Sequence, residues 1–132
     1  MGQPLIFDTN VMIEFERGSL DREVFDEDDL AVAALTVAEL RAGVEIAGTN
    51  ALRKARDTTI TALVRMVTVL HYTDATAAHH ARLLAHTRRS GRPRGAHDLI
   101  LAAHAAETGR TLVTRDAAAR FADLPGVLAR EP

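Results

Sequence analysis

Four acidic residues that lie far apart in the sequence are the best candidates for chemistry. Two of them, Asp8 and Asp116, directly follow apolar stretches typical of strands, and the polar residues Asn10 and Thr114 stand at the same two places. The full set of acids is Asp8, Glu39, Asp98 and Asp116. Mg²⁺ and Mn²⁺ prefer oxygen ligands such as carboxylates, and a bound ion activates water and stabilises charge on a phosphate. Acids that share such a cation are suited to the hydrolysis of phosphodiester bonds.

Each acid also has a purely structural interpretation. Asp8 is a common turn residue. Residues 36–39 read Thr-Val-Ala-Glu, a capping box in which Glu39 closes the start of a helix. Asp98 suits the positive end of a helix dipole, and Asp116 suits the N-cap of a helix over residues 117–121. The functional interpretation depends on two acids at strand ends, on the side of the sheet where α/β sites form, with two more able to reach them.

A basic segment lies directly before Asp98. Residues 75–97 contain five arginines and no acid, whereas residues 8–29 contain nine acids and two arginines, so the net charge of −2 is unevenly distributed. Arginine binds phosphate in a bidentate manner, and four residues are candidates for contacts with a nucleic-acid backbone: Arg88, Arg89, Arg92 and Arg94. A solvated helix face is the structural alternative. Aromatic residues make up 4% of the chain and none lies among these arginines, which argues against base recognition by stacking.

Several other catalytic classes lack their motifs. The chain has no cysteine, which excludes disulfides, thiolate zinc sites and a cysteine nucleophile. It has no Gly-x-Ser-x-Gly elbow, no phosphate-binding P-loop and no His-Glu-x-x-His zinc motif. Of the six histidines, His97 is the one of interest, because it adjoins Asp98.

The candidate residues must be positioned by an alternation of strands and helices. Strands are predicted at residues 5–7, 30–35, 67–70 and 111–114, with a possible fifth at 127–128. Helices are predicted at residues 11–17, 36–47, 51–66, 74–90 and 96–108. Apolar strands that are joined by helices form a parallel sheet covered on both sides. We therefore expect an α/β fold with a central parallel sheet of four to five strands and helices on both faces.

Size and composition predict one domain over residues 1–132. The chain is 47% hydrophobic and 26% charged, which is in the globular range. No apolar stretch approaches the about 20 residues of a membrane span, and no basic segment followed by an apolar one opens the chain. We expect a soluble, cytoplasmic protein that has no membrane partner.

Four blocks of the sequence resemble, in order and spacing, the PIN-domain ribonucleases. They are LIFDTNV at residues 5–11, TVAELRAG at residues 36–43, GAHDLILAA at residues 95–103 and LVTRD at residues 112–116. The resemblance extends from residue 5 to about residue 126, and the length and compact blocks are similar to the VapC toxins of bacterial toxin–antitoxin pairs. Arg120 precedes Phe121 where many relatives place an acid or a histidine, so the resemblance implies no fifth acidic contact here.

The resemblance implies a Rossmann-like PIN fold and Mg²⁺- or Mn²⁺-dependent cleavage of single-stranded or loop RNA. It implies metal ligation and catalysis by the four acids Asp8, Glu39, Asp98 and Asp116, with Asn10 and Thr114 as supporting polar groups. It also implies a homodimer and inhibition by a cognate VapB-type antitoxin.

Two alternatives stay open on the sequence alone. One is a haloacid-dehalogenase-like phosphatase, which also begins with a strand ending in Asp. That family needs a second Asp where this chain has Asn10. It also needs a lysine, and this chain has no obvious equivalent, since its only lysine is Lys54. The other is a catalytically silent PIN-like binding module.

Overall fold

A sheet of five parallel strands forms the centre of the described chain, as the sequence predicts. The computed structural model describes residues 2–132. The strands are β1 (Pro4–Phe7), β2 (Asp29–Ala33), β3 (Thr68–Leu70), β4 (Thr111–Val113) and β5 (Ala129–Arg130). Their order across the sheet is β3-β2-β1-β4-β5, and every neighbouring pair is parallel. The carboxyl ends of β1 and β4, which are neighbours, therefore meet at one edge.

Helices connect these strands at the places that the apolar periodicity predicts. They are α1 (Thr9–Arg17), α2 (Ala34–Glu45), α3 (Asn50–Arg65), α4 (Asp74–Ser90) and α5 (Ala96–Thr108). Short 3₁₀ helices occur at Arg22–Phe25, Ala117–Ala119 and Phe121–Asp123. Within residues 2–132, no helix is both long enough and apolar enough to cross a bilayer.

The central strand β1 is buried on both faces because helices cover both sides of the sheet. Leu5 and Phe7 belong to a core cluster formed with α1, α2 and α3, whereas Ile6 belongs to a cluster formed with α4, α5 and the C-terminal segment. Phe7 packs edge-on against Phe15 and Phe25, with ring centroids 5.8 and 5.1 Å apart. A shift of one residue would exchange these two faces, so packing fixes the register of β1 and the position of the residue that follows it.

The main departures from the predicted boundaries are the start of α2 and the position of the fifth strand. The capping box at residues 36–39 does not form: α2 begins at Ala34, and its N-cap residue Ala33 makes no side-chain cap. Thr36 is instead completely buried inside the first turn. The fifth strand lies at Ala129–Arg130 and not at residues 127–128, because β4 pairs with Ala129 and Arg130, while Val127 packs in the core before the strand begins.

The helices α4 and α5 pack against each other through polar as well as apolar groups. The buried hydroxyl of Thr76 donates a hydrogen bond to the carboxylate of Glu107, with an oxygen–oxygen distance of 2.7 Å. His104 is 2% exposed, and this burial lowers its pKa. The carboxylate of Glu107 opposes that shift, while His71 and His80 add to it. The pair of helices therefore encloses a histidine that favours its neutral form.

Candidate active site

Asp8 connects the end of β1 to the start of α1. Its Oδ1 accepts a hydrogen bond of 2.8 Å from the backbone N–H of Val11, so the side chain is the N-cap of α1. Its Oδ2 accepts a short hydrogen bond from the hydroxyl of Thr114. Asp8 is 8% exposed. The structural interpretation of Asp8 is therefore confirmed, and the cap fixes its carboxylate at the edge of the sheet.

Thr114 ties Asp8 to Asp116. While its hydroxyl donates to Asp8, the same oxygen accepts a hydrogen bond of 3.0 Å from the backbone N–H of Asp116. The carboxylate of Asp116 accepts from the backbone N–H of Ala119 at 3.1 Å and so begins the 3₁₀ helix Ala117–Ala119. The predicted cap is therefore present, although it starts a single 3₁₀ turn in place of a helix over residues 117–121.

Asp98 lies in the first turn of α5, within electrostatic reach of the other two aspartates. Its pKa is raised, first by burial and then by the negative charges of Asp116 and Asp8, while His97 and Arg94 oppose the shift. The carboxylate folds back over the N-cap residue Gly95, where an added Cβ would lie 3.1 Å from Oδ2. Three acids that are far apart in sequence thus form one electrostatic group.

Glu39 stands beside this group and is not a full member of it. Because α2 begins at Ala34, Glu39 lies in the second turn, and its carboxylate points back towards α1. Oε1 accepts a hydrogen bond of 2.8 Å from the hydroxyl of Thr9. Oε2 lies 3.9 Å from Nδ1 of His97, whose side chain is 62% exposed. His97 therefore links Glu39 to the helix that carries Asp98.

Two features of the predicted site differ from a closed metal cage. Asn10 is exposed in the first turn of α1, and its side chain makes no hydrogen bond to the acids within the described chain. Across residues 2–132, no three His, Cys, Asp or Glu side chains converge closely enough to bind one metal ion among them. The acids are near enough for Asp8 and Asp116 to raise the pKa of Asp98, yet they do not form a closed set of ligands within the described chain.

The four arginines fall into two groups. Arg88 and Arg89 are exposed at the end of α4, and Arg92 is exposed in the connection to α5. The guanidinium of Arg94 instead donates hydrogen bonds to the backbone carbonyls of Ala119 and Arg120. Sequence reasoning assigned all four to phosphate binding and missed this internal role, as it missed Thr9. Neither role has a local sequence signal, because both depend on contacts across the fold.

Comparisons with known proteins agree with this geometry. Residues 5–126 match the PIN domain family. The chain belongs to the PIN-domain family. Ribonuclease VapC5 of Mycobacterium tuberculosis is 37% identical to it over 111 residues, which are 84% of this chain and 82% of that protein. This similarity places the PIN domain in the VapC group.

Solved structures give the same result. The structure of VapBC-5, a toxin–antitoxin system of Mycobacterium tuberculosis, matches with a TM-score of 0.75 at 31% identity and covers 97% of this PIN domain and 98% of the matched chain. DNA-bound VapBC of Salmonella typhimurium matches with a TM-score of 0.84, covering 99% and 98%, and at 24% identity it supports the fold alone. Membership in this family decides against the haloacid-dehalogenase-like alternative, in agreement with Asn10 and with the position of Lys54 on α3.

The raised pKa of Asp98 predicts how stability depends on charge and pH. The folded state holds the Asp98 proton to a higher pH than the unfolded chain does, so the ionised carboxylate destabilises the fold at neutral pH. Asp98→Asn should therefore stabilise the protein in EDTA at pH 7, by about 1 kcal/mol because solvent screens this partly exposed group. This gain in the free energy of unfolding should shrink as the pH falls towards the ordinary carboxyl range, because Asp98 of the wild type is then protonated as well. Thermal melting at several pH values measures both effects.

Glu39→Gln is the matched control, because its neighbours are the hydroxyl of Thr9 and the ring of His97 rather than another acid. It should give no gain in EDTA. A destabilised Asp98→Asn would show that this carboxylate serves mainly to start α5.

Proposed function

We propose that this PIN-domain protein is a metal-dependent endoribonuclease and the toxin of a VapBC-type toxin–antitoxin pair. The observation that carries the proposal is the group of three aspartates, Asp8, Asp98 and Asp116, at the carboxyl edge of β1 and β4. The related protein VapC5 of Mycobacterium tuberculosis is named a ribonuclease, and VapBC-5 of the same organism is described as a toxin–antitoxin system. The arrangement supports the same activity here, since an all-oxygen acidic group beside an exposed basic segment suits the hydrolysis of a phosphodiester.

The donor set fits Mg²⁺ or Mn²⁺ in an open site. The acidic group consists of carboxylates alone, and Mg²⁺ is usually held by one or two carboxylates together with water. Asp98 and Asp116 would hold the ion, with Asp8 beside them, and Glu39 would act from the His97 side. When bound, such an ion lowers the pKa of water and stabilises negative charge on a phosphate.

The chain itself supplies order and charge. Asp8 is held by Val11 on one oxygen and by Thr114 on the other, so its carboxylate cannot rotate freely. Thr114 holds the backbone of Asp116 at the same time. Glu39 offers Oε2, the oxygen not bonded to Thr9, as a proton acceptor near His97. The chain has no cysteine, and water is the nucleophile that an ion held by these carboxylates would activate.

The exposed arginines before α5 provide a path for the RNA backbone. Arg88, Arg89 and Arg92 are exposed, and the chain from Arg92 reaches Asp98 within six residues. Fixed positive charge in this segment attracts phosphates and offsets the repulsion that the acids exert on them. We infer that they bind the backbone without reading bases.

Replacing the aspartates should abolish cleavage. Asp8→Asn and Asp98→Asn each remove a charge while keeping the side-chain volume, so RNA hydrolysis should fall by at least about a hundredfold with the fold intact. Mn²⁺ should raise the melting temperature of wild type by mass action and that of Asp98→Asn much less. The measurement is cleavage of RNA in Mg²⁺, Mn²⁺ and EDTA, with melting in the same buffers.

Glu39→Gln is again the control, and it should keep more of the Mn²⁺ shift than Asp98→Asn does. A phosphomonoester serves as the negative substrate. Full activity of both aspartate variants, after removal of contaminating nucleases, would contradict the proposal, and a well-folded wild type that cleaves no RNA would favour the silent binding module.

Removing exposed arginines should weaken RNA binding in a salt-dependent way. The double variant Arg89→Ala/Arg92→Ala loses two phosphate contacts, so the slope of log K against log salt should fall by about 1.4 for single-stranded RNA. Binding is measured in EDTA by fluorescence anisotropy between low and physiological salt. The control, Lys54→Ala/Arg65→Ala on α3, removes the same charge away from the site. Equal slopes for the two double variants would assign the arginines to a solvated face or a partner surface.

A cavity beside Glu39 offers a site for the antitoxin. It has a volume of about 440 Å³ and lies between α1, α2 and α3, with Ile13, Leu40, Val44 and Ile60 among its lining residues. Glu39 also lines the cavity. We propose that an amphipathic helix of a VapB-type antitoxin packs here and extends a basic side chain to the acidic group, where it replaces the cation. The homodimer implied by the resemblance stays a prediction.

Filling this cavity should separate inhibition from activity. A side chain at Gly43, which lines the cavity, meets no atom within 4 Å at its Cβ, so Gly43→Leu should fill the cavity without a clash. The variant should cleave RNA normally but need at least about tenfold more cognate antitoxin for inhibition. Gly48→Leu, outside the cavity and equally unobstructed, is the control. An antitoxin that binds tightly and leaves cleavage unchanged would contradict the proposed site.

A further inference from the structure

Arg94 is engaged with the protein itself. One nitrogen of its guanidinium, Nη1, donates to the backbone carbonyls of both Ala119 and Arg120, the latter at 2.9 Å. Its side chain is half-buried, whereas Arg88, Arg89 and Arg92 are exposed. The four arginines therefore do not form a uniform phosphate-binding strip.

The two carbonyls belong to the segment that carries Asp116. Ala119 is held from both sides, since its N–H donates to the carboxylate of Asp116 and its carbonyl accepts from Arg94. Arg120 follows in the left-handed backbone region, with φ of 46°. A residue with a Cβ disfavours that conformation, so it persists only where surrounding contacts impose it. Arg94 supplies such a contact at the carbonyl of Arg120 itself.

Arg94 also leads directly into the start of α5. It precedes Gly95, the N-cap residue of α5, and the carboxylate of Asp98 folds back over Gly95. Arg94 thus contacts the segment of Asp116 with its side chain and adjoins, through its backbone, the residue that the second aspartate covers.

We propose that Arg94 is a positioning residue that fixes the Asp116 segment against the start of α5, so that the carboxylates of Asp116 and Asp98 face each other. Its catalytic consequence rests on the nuclease function proposed above, while its structural consequence does not. Arg94 acts through Asp116 and makes no contact with the RNA backbone. This distinguishes it from Arg89 and Arg92, which act on substrate affinity.

The experiment compares Arg94→Ala and Arg94→Lys with Arg65→Ala, a control that removes an exposed arginine at the end of α3. This helix packs into the core cluster that does not contain Ala119 or Phe121. In EDTA, hydrogen–deuterium exchange of a peptide over residues 115–124 should be at least about tenfold faster in Arg94→Ala than in wild type or Arg65→Ala. In Mn²⁺, kcat for RNA cleavage should fall by about tenfold or more, with KM and the salt slope of binding unchanged. Arg94→Lys, whose ammonium can also donate to two carbonyls, should recover part of both effects.

A second arm tests whether Arg94 acts through Asp116. Adding Asp116→Asn to Arg94→Ala should reduce kcat much less than adding it to wild type, because the aspartate has already lost its position. Additive losses would overturn the inference. So would unchanged exchange and kcat in Arg94→Ala, or a raised KM and a reduced salt slope with kcat unchanged, which would mark a phosphate contact.

The two proposals fail in different ways. If wild type cleaves no RNA, the proposed function fails, and the exchange of residues 115–124 still decides the positioning role. If wild type is active and Arg94→Ala exchanges and cleaves like Arg65→Ala, the positioning role fails alone. Should Arg94→Ala not fold, Arg94→Lys and Arg94→Gln take its place, and the rank order of exchange, Gln faster than Lys, is the expected result.

Discussion

Like charges at Asp8, Asp98 and Asp116 repel one another, and the rest of the fold holds them together against that repulsion. The unfolded chain would separate them, since they are far apart in sequence. The parallel sheet prevents this because β1 and β4 are hydrogen-bonded neighbours whose carboxyl ends lie side by side. The burial of Leu5, Ile6 and Phe7 in two separate core layers fixes the register of β1. Hydrophobic packing therefore opposes the electrostatic penalty at the site.

Hydroxyl groups adapt this rigid edge to its charged residues. The hydroxyl of Thr114 donates a hydrogen bond to the carboxylate of Asp8 and accepts one from the backbone N–H of Asp116, so one side chain joins two strand ends. The hydroxyl of Thr9 on α1 likewise donates a hydrogen bond to the carboxylate of Glu39 on α2. Neither residue adds charge, and both use hydrogen bonds that orient a carboxylate without neutralising it. The hydrogen bonds thus restrict the conformational freedom of the carboxylates without adding a positive charge.

The sequence predicts the elements well because their apolar patterns are local. The bounds of α4 and α5 agree with the structure to the residue, since a threonine or glycine marks each end. The failures have non-local causes. The capping box at residues 36–39 was a sound local pattern, but Thr36 is needed in the core at the junction of β2 and α2, and the helix begins earlier.

The same limit applies to the site. The four acids could be selected from the sequence because two follow strands, yet only the fold separates the aspartate group from Glu39. Arg94 looked like its neighbours because charge is visible in a sequence and a hydrogen bond to Ala119, 25 positions away, is not. The sequence pattern thus predicts which residues lie near the carboxyl edge of the sheet, whereas contacts between distant parts of the chain determine the role of each residue.

The helix α5 carries two titratable side chains, Asp98 and His104, whose protonation has opposite effects on the stability of the fold. Burial holds the pKa of His104 below its ordinary 6.5, so the unfolded chain takes up a proton that the folded one refuses, and stability is lost as the pH falls below that value. The pKa of Asp98 is above its ordinary 3.8, so protonation relieves the fold only at lower pH. On acidification the buried histidine therefore costs stability, whereas protonation of Asp98 restores some of it. The packing of α4 against α5 thus makes the fold sensitive to acid by a route that is separate from the acidic group.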